Sequence, residues 1–259
     1  MAEESYGERL FTGITGFDVL LGNGIPSGSA VLVEGGPGSG KTIFCLTMVE
    51  NFCKKGKKVL YMSFEEPEER LISHMESFGW DPHEFMEGGL LRIKRFNALD
   101  VARSVEALLS EAKKELLIEV DPVFFPHDFK PEIVIIDSMT SISSAFSGEE
   151  SRFRVYMEQL FRYLEKEQIT SFLIREVANP SHTGNSHDEH MGEAVSFLSD
   201  GIIIIYNALY PSGKRGIGIE ILKMRGTDIV KKIVPMEISS SGNVKVHPDK
   251  NIPADCKLT

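Results

Sequence analysis

Short apolar runs alternate with amphipathic segments along most of this chain, a pattern that predicts a parallel β-sheet covered by helices. The run SAVLVEG (29–35) reads as a strand entering a glycine loop. From Lys41 to Lys55, the positions Leu46, Val49, Phe52 and Cys53 recur at helical spacing. KVLYMSF (58–64) is a second strand, and Pro67 then starts a helix with Leu71, Ile72, Met75 and Phe78 on one stripe. A short strand LLRI (90–93) precedes a helix over about 100–114. EIVIID (132–137) has the near-continuous hydrophobicity of a strand buried on both faces. A helix over 152–167, the strand TSFLIR (170–175) and a polar loop (177–193) follow.

The last third changes character. GIIIIYN, GIGIEILKMRG and KKIVPMEI are strand-like, and the turn YPSGKRG between the first two predicts a β-hairpin. The sheet is therefore expected to end in antiparallel strands. In GIGIEILKMR, strict alternation puts Ile217, Ile219 and Ile221 on one face and continues it with Lys223 and Arg225. The pattern supports a single domain with a core over about 10–247. Residues 115–131 read as an insertion and 248–259 as a flexible tail.

Composition narrows the class. The 259 residues are 42% apolar and 25% charged, ordinary values for a globular α/β domain. No apolar run approaches the roughly 18 residues of a membrane span, so no membrane insertion is expected. The acidic, polar start MAEESYGERL lacks the pattern of a signal peptide. Three cysteines without paired spacing point to a reducing cytoplasm. A net charge of −10 argues against nucleic acid as a partner.

The chemistry is concentrated in a few places. GGPGSGKT (35–42) matches G-x-x-x-x-G-K-S/T, with a strand before it and a helix after. Backbone N–H groups of the loop Gly36, Pro37, Gly38, Ser39 and Gly40, all but the proline's, would cradle phosphates, and Lys41, Thr42 and Ile43 open the helix. Lys41 is then the contact to the outer phosphates of ATP and Thr42 a magnesium ligand. Asp137 closes the most hydrophobic strand and emerges at the sheet edge where open α/β sheets bind ligands, so it is the acid expected beside that metal. Glutamates as dense as those in MSFEEPEER (62–70) are usually a solvated face. Strand order divides them, because Glu65 and Glu66 end the strand after the P-loop helix and reach the same edge. A carboxylate there can orient and deprotonate an attacking water. Glu68 and Glu69 lie in the first helical turn and keep the solvated reading.

Together these segments resemble the KaiC-like branch of the RecA superfamily of ATPases. The resemblance runs through TGITGFDVLLGNGIPSGSAVLVEG (12–35), SFEEPEERLISHMESFGWDP (63–82), IIDSMTS (135–141) and EILKMRGT (220–227). It implies a RecA-like three-layer α/β/α core, mostly parallel, that hydrolyses ATP to ADP with magnesium in a homo-oligomeric ring such as a hexamer. By that resemblance Glu65 and Glu66 are the catalytic pair, with Glu65 the base. Ser77 falls near the nucleotide's base or sugar. Lys223 and Arg225 correspond to residues reaching the neighbouring subunit's γ-phosphate, and Lys231 to a second lysine acting in trans.

The chain departs from the family in three ways. The family's clock protein fuses two modules where this chain has one. Its adjacent serine and threonine acceptors become Ser196 followed by Phe197, and Arg175 in IREV replaces a polar residue. HTGNSHDEH (182–190) invites a metal hypothesis through His187 and His190, against the plainer reading of a polar loop. Alternatives to an ATPase that couples nucleotide state to a protein partner are a scaffold with little turnover, an autophosphorylating kinase and a RadA-type recombinase.

Overall fold

The computed structural model describes residues 8–103, 126, 128–146, 149–177 and 195–259. The segment 182–190 and most of the insertion at 115–131 lie outside the described residues, as does the predicted helix beyond residue 103.

β1 (Arg9–Leu10) and β2 (Ile25–Pro26) form a small antiparallel ribbon. β3 (Ala30–Gly35) is buried at every position and leads through the glycine loop into α1 (Lys41–Lys54). β4 (Val59–Ser63) is followed by α2 (Glu68–Ser77), α3 (Pro82–Glu87) and β5 (Leu91–Arg95). β6 (Ile133–Asp137) is followed by α4 (Met139–Ala145), α5 (Glu150–Lys166) and β7 (Thr170–Glu176). The chain ends with β8 (Gly201–Leu209), β9 (Arg215–Met224), β10 (Val234–Ile238), β11 (Val244–Val246) and β12 (Lys257–Leu258).

One large sheet has the order β11-β10-β9-β8-β3-β7-β6-β4-β5. From β8 to β5 every pairing is parallel, and β9, β10 and β11 add antiparallel. Successive strand residues face opposite sides, so each buried strand feeds two cores. Val31, Val33, Tyr61, Ile135 and Phe172 pack on one side with Phe44, Met48 and Phe52 of α1. Leu32, Leu60, Ile136 and Leu173 pack on the other with Met139, Phe153 and Leu160 of α4 and α5. β3 therefore sits centrally, and its C-terminal end opens where the parallel strands finish.

Two expectations need correction. The register between β8 and β9 shifts at Ile202 and Ile203, which face Lys223 and Ile221. Leu222 is the extra residue, and one extra residue inverts the alternation. Ile219 and Ile221 share their core with Met224, so Lys223 and Arg225 do not continue that face. The chain also orders beyond 247. β8 has nine residues and β3 six, leaving β8 an open edge above the glycine loop. There Lys257 pairs with Leu209 and Leu258 with Ala208, and Asn207 exchanges backbone hydrogen bonds with Thr259. An unpaired strand edge is a row of unmet donors and acceptors, and the supposed tail meets them.

Candidate functional site

The site begins with glycines at which a side chain would be strained or would clash. Gly40 caps α1 at φ 94°, and a Cβ there would lie 2.5 Å from Ile238 Cδ1. At Gly35 an added Cβ would come within 2.3 Å of the Ile205 carbonyl oxygen. The loop is thus pressed against β8 and β10.

A cleft of about 370 Å³ opens above this loop. Gly38, Gly40, Lys41, Thr42, Ile43, Glu65, Glu66 and Asp137 line it, together with His74, Phe78, Ser138, Ile174 and Glu176. The structure therefore brings three separate strand ends, β4, β6 and β7, to the start of α1. Lys41 is buried, and its Nζ donates to the carbonyls of Gly35 (3.0 Å) and Gly36 (2.8 Å). Burial pushes its ammonium pKa down, opposed by Glu176 at 4.0 Å and by Asp137 and Glu65.

Asp137 is buried on the floor of the cleft. Its Oδ2 accepts from Thr42 Oγ1 (3.1 Å) and Tyr61 Oη (2.6 Å). Burial raises the carboxyl pKa; the two hydroxyls pull it down, and Glu65 and Glu66 push it further up. A cation would relieve that crowding. The adjoining hydroxyl and carboxylate are hard oxygen donors of the kind magnesium takes when phosphates and water complete its shell. Among the described residues no group of three or more His, Cys, Asp or Glu could hold a metal by itself.

The two glutamates differ. Glu65 Oε1 accepts from the hydroxyls of Ser138 and Ser141. Glu66 turns toward α2, with Oε2 3.4 Å from Arg70 Nε and 3.7 Å from His74 Nδ1. Ser63 pins the turn between them by donating to the Glu66 carbonyl (2.7 Å) and accepting from its N–H (3.0 Å). Of the next pair, Glu69 is exposed, whereas Glu68 accepts from Arg95 N (2.9 Å) and ties α2 to β5.

Other expected residues lie elsewhere. Ser77 is exposed at the end of α2, its hydroxyl donating to the His74 carbonyl (2.7 Å), while His74 and Phe78 line the cleft. Lys223 Nζ donates to the Ser199 carbonyl (2.6 Å), and burial lowers its pKa. Arg225 pairs with Asp200 (3.2 Å), whose other oxygen accepts from Ala30 N (3.0 Å) at the first residue of β3. Lys223 and Arg225 therefore sit at the opposite sheet edge from the glycine loop, about 17 Å of strand away. Neither can reach this chain's own cleft. Lys231 is exposed and shares a shallow groove with Lys223. Arg175 faces away from the cleft and forms an ion pair with buried Glu34 (2.8 Å). Sequence reading missed Tyr61, Ser138 and Ser141, whose only signal is their adjacency to Asp137 across or along the strands.

A family model described as the ATPase KaiC matches residues 10–251. The chain belongs to the KaiC ATPase family. It is 30% identical over 249 residues to a UPF0273 protein of Methanopyrus kandleri, covering 94% of this chain and 93% of that one. It is 28% identical over 246 residues to the circadian clock protein KaiC3 of a Synechocystis strain, of which it spans 46%. The fold superposes on a crystal structure of a KaiC-like protein from Pyrococcus horikoshii with a TM-score of 0.72 and 26% identity. That match covers 93% of this chain and the whole of the other. The architecture is thus the RecA-type fold of the KaiC family, whose members are nucleotide-binding ATPases. Among the described residues no helix is long and apolar enough to cross a membrane.

Proposed function

We propose that this KaiC-family protein hydrolyses ATP with magnesium, at a site completed by a neighbouring copy, and uses the nucleotide state to alter its conformation toward a protein partner. One observation carries the reading. Thr42 and Asp137 meet at 3.1 Å in the cleft that also holds Lys41 and Glu65. The glycine-loop amides and Lys41 would hold the phosphates, and Thr42 and Asp137 would hold the metal. Magnesium, when bound there, would supply charge neutralisation for the phosphates.

Glu65 then takes a proton from water as its oxygen attacks the γ-phosphorus in line. The bond to the β–γ bridging oxygen breaks, and ADP departs with that oxygen's charge held by Lys41. The basic groups at the far sheet edge, Arg225 with Lys223 and Lys231, act on the cleft of the next subunit in a ring. Ser196 lies at that far edge too, bonded through its carbonyl to Lys223, so any phosphorylation there comes from a neighbour.

A second reading, a nucleotide-binding scaffold with little turnover, is favoured by the serine hydroxyls on Glu65. Both serines donate to the same oxygen, Oε1, and so occupy part of the carboxylate that would have to meet the water. Phosphate release by the Glu65→Gln/Glu66→Gln protein separates the two. The hydrolytic account expects ATP binding to persist and turnover to fall about 100- to 10,000-fold. Wild-type phosphate release from that variant would exclude the assignment.

A further inference from the structure

We propose that Tyr61 is a positioning residue for Asp137, its hydroxyl fixing the carboxylate oxygen that also meets Thr42 and so the orientation in which the carboxylate is offered to the metal. The inference rests on the reading of Thr42 and Asp137 as the residues that hold magnesium.

Tyr61 of β4 lies opposite Ile135 of β6, and Asp137 is two residues further along, on the same face. A diagonal cross-strand neighbour is within reach of a long side chain. Tyr61 points into the core beneath α1 and is fully buried among apolar side chains, where phenylalanine would fill the same volume. A hydroxyl placed there needs a partner, because an unmatched buried donor is costly. That partner is Asp137 Oδ2, at 2.6 Å.

Both hydroxyl donors found on Asp137 among the described residues fall on that same oxygen. Thr42 lines the cleft and is itself a candidate ligand, whereas Tyr61 is not among the cleft residues. Tyr61 therefore touches neither nucleotide nor metal. It acts through Asp137, by restricting rotation of the carboxylate from beneath. Partners of this kind commonly change metal affinity by about 10- to 100-fold.

The test is a manganese titration of the ADP complex followed by electron paramagnetic resonance, with ADP affinity measured separately in EDTA. Wild type, Tyr61→Phe, Asp137→Asn and the double variant are compared. Tyr61→Phe is expected to keep its metal-free ADP affinity and bind manganese about 10-fold or more weakly. On the Asp137→Asn background the same change should add nothing, since the effect passes through the carboxylate. Manganese affinity unchanged in Tyr61→Phe, or lowered equally on both backgrounds, overturns the proposal. Should Tyr61→Phe not fold, fluorotyrosine in place of tyrosine strengthens the same donor at nearly constant volume. It is expected to change manganese affinity, and an unchanged value overturns the proposal as well. A wild type whose ADP complex takes no manganese would instead sink the metal reading of Thr42 and Asp137.

Discussion

Cys45 and Cys53 sit on the buried side of α1, where burial raises both thiol pKa values, that of Cys53 to about 12. Cys256 is partly exposed near the chain's end, with its pKa also raised, first by burial and then by Asp255. The thiolate is the reactive form, so reaction requires both access and deprotonation. Titration with a thiol reagent should find one reactive group in the native protein and three in denaturant. The native reaction should quicken as pH rises toward and past the Cys256 pKa. Two or more fast thiols in the native state would contradict the packing of α1. The sequence located the cleft-lining residues that follow one local pattern: the glycine loop, Lys41 and Thr42. Asp137 and Glu65 were legible because they end apolar strands. Tyr61, Ser138 and Ser141 were not, because their roles arise from which strand lies next to which, and one strand's alternation carries no record of its neighbour.

Among elements, β3 and β7 are joined by more than their ladder. Glu34 and Arg175 face each other in register, with Glu34 fully buried. Removing one member of a buried pair takes that partner from the other's buried charge, at a cost of about 3–5 kcal/mol. Arg175→Leu should therefore lower the urea midpoint sharply, and Glu34→Leu/Arg175→Leu should recover most of the loss. Additive losses in the double variant would mean that the two side chains contribute independently. The alternating strands and helices were readable because each apolar run has a length and period that only one element fits. The bulge at Leu222 was not, since an inserted residue keeps the apolar composition while reversing which side chains face the core. β12 escaped notice for another reason: two residues paired to a protruding strand end have no pattern of their own.

For the whole molecule, the sheet works as a spacer. Lys41, Thr42, Asp137 and Glu65 gather at one edge, while Arg225 is held at the other beside Ala30. Side chains alone do not span that distance within one chain, so the role proposed for Arg225 calls for a head-to-tail neighbour, an arrangement that gives a ring where the rotation between copies closes. The sequence carried the cations themselves, but their distance from the P-loop became visible only with the strand directions known.

The most direct test mixes two inactive proteins, Glu65→Gln/Glu66→Gln and Arg225→Ala, co-assembled before ATP and magnesium are added. Each alone should release phosphate near background. In random mixed rings about one site in four combines an intact glutamate pair with an intact Arg225 from the adjoining subunit. The account predicts recovery to about a quarter of the wild-type rate per chain. A mixture as inactive as its components, or full activity of Arg225→Ala alone, would contradict it.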